Sequence, residues 1–170
     1  MAALELFAGK GYAATSTDSI AKKAKISKGL IYHYFKSKQD ILRGIFALLM
    51  EEGSQLMNEN NQIPPDKAIK NLIDYSFDFI VNKAKLNRLL IAIAIQPEVV
   101  KGLKEELDNA RELWIGVMIK MFRELNFQQP EAEAYLLGAM FDGVGMGYLA
   151  LGEDYPIKKI KKLIEERYGL

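Results

Sequence analysis

Residues 11–38 read GYAATSTDSIAKKAKISKGLIYHYFKSK, from Gly11 to Lys38. Three N-cap signals punctuate this stretch. Thr15, Ser16 and Thr17 cluster before an apolar-periodic segment that runs from Asp18 to Ala24. Ser27 opens a second segment, Lys28 to Phe35. Ser37, with Asp40 three residues on, resembles a capping box and opens a helix reaching about Asn58. A short amphipathic segment, Ala2 to Gly9, precedes them with Leu6 and Phe7 inward. Short helices separated by a turn this tight form a helix-turn-helix pattern. In the segment opened by Ser27, Ile31 and Phe35 are four apart and face inward. Lys28, Gly29, Tyr32 and His33 fall on the opposite edge. Gly29 allows close backbone approach to a duplex. Lys28 can reach guanine or phosphate, Tyr32 can donate to phosphate, and His33 can do either. Tyr34 is expected in the core, and Lys36 in solvent or on a phosphate.

The charge distribution points the same way. Residues 1–45 carry eight bases and three acids, a net +5; the other 125 residues carry 15 bases and 19 acids, a net −4. A basic head on an acidic body suits a polyanion bound at one end. The absence of cysteine excludes disulfides and thiolate chemistry, and a single histidine leaves little for a metal centre or a catalytic triad. There is no helical Glu-x-x-His and no nucleophile elbow, so an enzyme is not expected, nor a cofactor or metal. The longest aliphatic run, Leu89 to Ile95, is too short to cross a bilayer. Glu5 and the lack of a leading basic stretch argue against a signal peptide. A cytoplasmic protein without membrane contact is expected.

The remaining sequence reads as helix throughout, giving an all-α fold. Apolar residues recur at three and four, with no sustained period-two segment. Ile41, Leu42, Ile45, Leu48, Leu49 and Leu56 mark the expected buried side of the helix from Ser37, and Gly44 and Gly53 are expected to soften it. Asn58 to Pro65 is a boundary. Helices are expected from Pro65 to about Lys83, Leu86 to Gln96, Glu98 to Asn126, Pro130 to about Leu151, and from Pro156 onward.

The runs Gly11 to Thr17, Ile20-Ala21 and Ser27 to Lys38 resemble the tetracycline-repressor (TetR) family. The resemblance covers roughly the first 45 residues, and beyond them it extends only to a helical layout. It implies a helix-turn-helix DNA-binding domain over residues 1–45 and a helical effector-binding and dimerisation domain over residues 46–170. It further implies a ligand-responsive transcription regulator, usually a repressor, acting as a homodimer on a palindromic operator in double-stranded DNA. Carried over by position, Lys28, Gly29 and Leu30 would face bases, Thr17, Ser27, Tyr32 and Lys38 would hold phosphates, and His33 could do either. Three features depart from the family pattern. Lys25 stands in the turn where the family often has glycine. Leu30 cannot hydrogen-bond a base, though it can pack on a thymine methyl. The start falls inside what the pattern makes the first helix.

In the body, facing segments rich in aromatics and methionine would line either a cavity or an ordinary core. Phe79, Trp114, Met118 and Phe141 are the candidate apolar ligand contacts; Asn87 and Asp142 are polar groups amid apolar runs that could orient a small apolar or amphipathic effector. Gly143 and Gly147 share one helical face, which reads as a dimer surface formed with the last helix. The glycines could equally make room for ligand or mark a kink. Lys158, Lys159, Lys161 and Lys162 read as the solvent side of the last helix. A helical protein-interaction module and an effector-independent regulator are the alternative readings.

Overall fold

The computed structural model describes residues 1–170, all helical apart from turns. The head comprises α1 (Ala2–Lys10), α2 (Thr17–Ala24) and α3 (Lys28–Tyr34), followed by α4 (Lys38–Asn60). The body adds α5 (Pro65–Asn82), α6 (Ala84–Ala94), α7 (Pro97–Gly102), α8 (Lys104–Glu124), α9 (Pro130–Leu151) and α10 (Ile157–Arg167). A 3-10 turn, Gly152–Asp154, joins the last two.

The three expected caps form. The hydroxyls of Ser16, Ser27 and Ser37 each accept a backbone N–H three residues on, at 3.1 Å. Ser16 is therefore the cap of α2, and its neighbour Thr15 turns inward. The buried Thr15 hydroxyl lies 2.8 Å from the Gly11 carbonyl and 3.2 Å from that of Leu6, pinning α1 to the loop after it.

Two cores hold the chain together. The first joins Leu4, Leu6 and Phe7 of α1, Ile20 and Ala21 of α2, Ile31 of α3 and Ile41, Leu42 and Phe46 of α4. It also takes in Leu89 and Ile93 of α6 and Leu103. The second joins Met57 of α4 to α5, α8, α9 and α10. The first core thus reaches across residue 45, and α4 belongs to both. Changing partners halfway rotates the buried face of α4. Phe46, Gly53 and Met57 are buried, Ile45, Leu49 and Leu56 only partly so, and Leu48, expected inside, is 67% exposed.

The expected softening of α4 by glycine is also corrected. A Cβ on Gly44 would lie 3.3 Å from the Phe35 ring, and one on Gly53 would lie 2.8 Å from Trp114. Both positions are bare because an aromatic ring rests on the helix there, which fixes the helix rather than loosening it.

The single helix expected from Glu98 to Asn126 is broken at Gly102–Leu103. The Gln39 amide of α4 occupies the space a Cβ on Gly102 would need and donates to the Gly102 carbonyl. Arg43 Nη2 donates to the same oxygen at 3.1 Å. Leu103, fully buried, turns into the first core. Local periodicity continues across the break, so only the tertiary contact reveals it.

Lys25 adopts the left-handed conformation at φ 56°, ψ 41° and ends α2. A side chain there costs about 1–2 kcal/mol, and glycine returns about 0.4–1 kcal/mol of that as unfolded-state entropy. Lys25→Gly should therefore raise unfolding free energy by about 0.5–1 kcal/mol in urea titration.

By length and composition alone, the stretch Pro130–Asp154 is apolar enough to cross a membrane, with a mean hydropathy of 1.3 over its best window. The reading by unbroken runs passes over it because glycines interrupt the aliphatics. Here one side of it packs in the fold, with Ala134, Leu137, Val144 and Gly145 buried against the second core and α6, and 22% of that window is buried.

Candidate nucleic-acid interface

The inner side of α3 is Ile31, buried in the first core, with Phe35 just beyond the helix end packed beside it. The rest of the helix is open. Leu30 and Tyr32 are exposed, and so are Ser27, Lys28, Gly29 and His33. Tyr34, expected in the core, is 72% exposed, with its ring edge-on to His33 at 4.9 Å. At the end of a seven-residue helix the inward seat falls to Phe35, so Tyr34 joins the outer edge.

The proposed contacts are mutually positioned. The Thr17 and Tyr32 hydroxyls are 3.0 Å apart and tie α2 to α3. Lys28 Nζ lies 2.6 Å from Asp18 Oδ1 and 5.9 Å from the centroid of the Tyr32 ring. The hydrogen bond that the Lys28 ammonium donates to the Asp18 carboxylate holds it above the ordinary lysine pKa. Ser27 caps α3 through its lone pair, which leaves its O–H free to donate. Lys38 is more committed than expected. Its ammonium donates to the carbonyls of Tyr12 (2.8 Å) and Ala13 (3.2 Å) and lies 4.5 Å from the Tyr12 ring centroid. One N–H remains for a phosphate. Lys38, Thr17 and Tyr32, with residues 13–16, border a shallow open depression of about 410 Å³ at the start of α2. A phosphate group would meet hydroxyls, an ammonium and a helix N-terminus there. Sequence reasoning missed Asp18 as part of this surface, because only the fold shows which base it meets.

The body candidates are scattered. Trp114 stacks on Tyr75 at 5.8 Å, and Phe79 approaches the same ring at 6.3 Å. Lys83, paired with Glu52, sits 5.9 Å from both the Tyr75 and Phe79 rings. Burial, with Glu52 and Asp78 nearby, pushes the Tyr75 phenol up to about 12. Its neutral form is the one the fold favours. Stability should therefore fall as pH rises from about 10, the unfolded value, to about 12, and a Tyr75→Phe variant should lack that loss in alkaline denaturation curves. Phe141 meets Phe77 edge-on at 6.4 Å, and Met118 is a core residue.

Two polar candidates do other work. Asn87 Nδ2 donates to the Gly145 carbonyl at 3.2 Å, a buried link between α6 and α9. Asp142 lies on the exposed side of α9 with no ion-pair partner, its pKa raised by partial desolvation. The glycines of α9 divide likewise. Gly145 seats Asn87 and Gly147 seats the Tyr155 ring, while only Gly143 opens to solvent. Around Gly143, Leu136, Ala139, Met146 and Ala150 form an exposed apolar stripe. A second concave surface, about 440 Å³, lies between α5, α9 and α10. Phe77, Val81, Tyr148, Tyr155 and Ile157 line it together with Glu153, Lys158 and Lys161.

These features define a class: a helix-turn-helix head fused to a helical body. Residues 1–45 match the family model described as bacterial regulatory proteins, tetR family. The fatty acid metabolism regulator protein of Bacillus subtilis is 41% identical over 59 residues, that is 35% of this chain and 30% of that protein. The icaADBC negative transcriptional regulator IcaR of Staphylococcus aureus is 29% identical over 59% of this chain and 54% of its own length. The chain therefore spans only a third to a half of these relatives. In structure, the fatty acid degradation regulator FadR from Bacillus halodurans superposes with a TM-score of 0.82 at 21% identity, covering 99% of this chain and 92% of that one. The transcriptional regulator FadR from Bacillus subtilis, solved in complex with stearoyl-CoA, gives 0.82 at 20% identity, covering 98% and 94%. The fold is thus shared with these two structures along nearly the whole chain.

Proposed function

We propose that this protein is a DNA-binding transcription regulator that works as a homodimer on a palindromic operator and releases it on binding a small apolar or amphipathic effector. The observation that carries the DNA half is the open outer edge of α3. Lys28, Gly29 and Leu30 face bases there, Thr17, Ser27, Tyr32 and Lys38 hold phosphates, and His33 serves either. The apolar stripe on α9 supports the dimer, since a second copy would cover it and set two α3 helices a fixed distance apart. For the effector, Phe79, Trp114, Met118 and Phe141 and the groove lined by Lys158, Lys161 and Glu153 offer apolar surface bordered by charged groups. Asn87 is better assigned to joining α6 and α9, and Asp142 to the outer face. Because α6 and Leu103 share the first core with the head, a shift of α6 moves the head as well. About 3 kcal/mol of coupling would lower operator affinity about 150-fold.

The test is selection of duplexes from a random pool by the purified protein, repeated with stearoyl-CoA and with shorter amphipaths. Enrichment of a palindrome, and its loss with one of these compounds, is the expected result. A pool that stays random would refute the DNA reading; a palindrome indifferent to every compound would favour an effector-independent regulator.

A further inference from the structure

Thr17, Asp18, Lys28 and Tyr32 close a ring on the outer surface of the head. Thr17 meets Tyr32 at 3.0 Å, Lys28 meets Asp18 at 2.6 Å, and the Lys28 ammonium stands 5.9 Å from the Tyr32 ring. Three members are groups assigned above to DNA. The fourth is a carboxylate. An acid in the first turn of α2 is favourable for the helix dipole alone, but that role does not call for a partner on another helix. The other two acids of the head pair elsewhere: Glu5 with Lys23 and Lys85, Asp40 with Arg43. Asp18 alone among them holds a base of the α3 edge.

We propose that Asp18 competes with DNA for Lys28 and thereby lowers the protein's affinity for duplexes and blunts its salt dependence. The proposal rests on the reading that the α3 edge meets DNA. Both side chains are more than half exposed, so the pair is weak, salt-screened and quickly exchanged. To touch DNA, Lys28 must leave Asp18, and the stranded carboxylate takes up a cation beside the phosphates. A contact to phosphate alone returns little more than the pair gave up. A contact to guanine O6 and N7 returns more. The cost of vacating the pair is the same on any duplex that Lys28 touches, so Asp18 lowers affinity for the selected duplex and for others by a similar factor.

The test measures fluorescence anisotropy of two labelled duplexes across a salt series: the one selected by wild-type protein and a random sequence of equal length. The proteins are wild type, Asp18→Asn, Asp18→Glu, Lys28→Met and the Asp18→Asn/Lys28→Met double variant, each checked for fold by thermal melting. Asp18→Asn should bind the selected duplex about 3-fold tighter and the random one by no more than that, with a slope of log K against log salt steeper by about 0.9. Asp18→Glu should behave as wild type. In the Lys28→Met background the Asn substitution should give a clearly smaller gain, only what relief of the carboxylate's repulsion by the phosphates supplies. An unchanged Asp18→Asn, or an equal gain without Lys28, overturns the proposal while leaving the DNA reading intact. Wild-type protein with no affinity for either duplex defeats both.

Discussion

Met146→Glu should leave the protein monomeric and weaken its binding to the selected palindrome by about 100-fold or more. Met146 is 57% exposed near the middle of the α9 stripe, between Gly143 and Ala150. In a two-fold interface each substitution enters twice, so two carboxylates would be buried without partners. Two linked heads hold DNA far better than one because the second binds at high effective concentration. Losing the dimer loses that gain without touching α3. Sedimentation and anisotropy on the same samples check both halves. A variant that stays dimeric with unchanged affinity would move the interface elsewhere. The conservative Met146→Leu should match wild type.

Phe122→Ala should cost about 3–5 kcal/mol of unfolding free energy, a large share of the roughly 5–15 kcal/mol such a chain holds. Phe122 is fully buried on α8. Its ring contacts Phe127 at 5.0 Å and Tyr168 at 5.3 Å, so it ties the end of α8 to the chain after α10. Truncation opens a cavity among rigid rings that cannot collapse to fill it. Urea denaturation reads the loss, and a cost below about 1 kcal/mol would mean that this corner repacks freely.

Much of the head was legible because its signals are local. A serine cap, an inward pair four apart and a run of donors between them each need only neighbouring residues to be read. The serines at 16, 27 and 37 cap as expected, and the open α3 edge carries the expected residues. The misses share one cause: contacts between distant segments. The break at Gly102 depends on Gln39, the bareness of Gly53 on Trp114, and the role of Asn87 on Gly145. Phe35 packs inward as expected, whereas Tyr34, expected in the core, lies on the outer edge at the end of α3. Asp18 looked like an ordinary first-turn acid until the fold set it against Lys28.

Anisotropy of the wild-type protein and a Lys28→Ala/Tyr32→Ala double variant on the selected palindrome, from about 50 to 200 mM salt, puts the α3 edge to trial. Wild-type affinity should fall steeply over that range, by about 10³-fold if six or more phosphates are held. The double variant should bind far more weakly at every salt concentration while remaining folded and dimeric. Equal affinity of the two proteins, or wild-type binding indifferent to salt, would show that α3 does not meet the duplex.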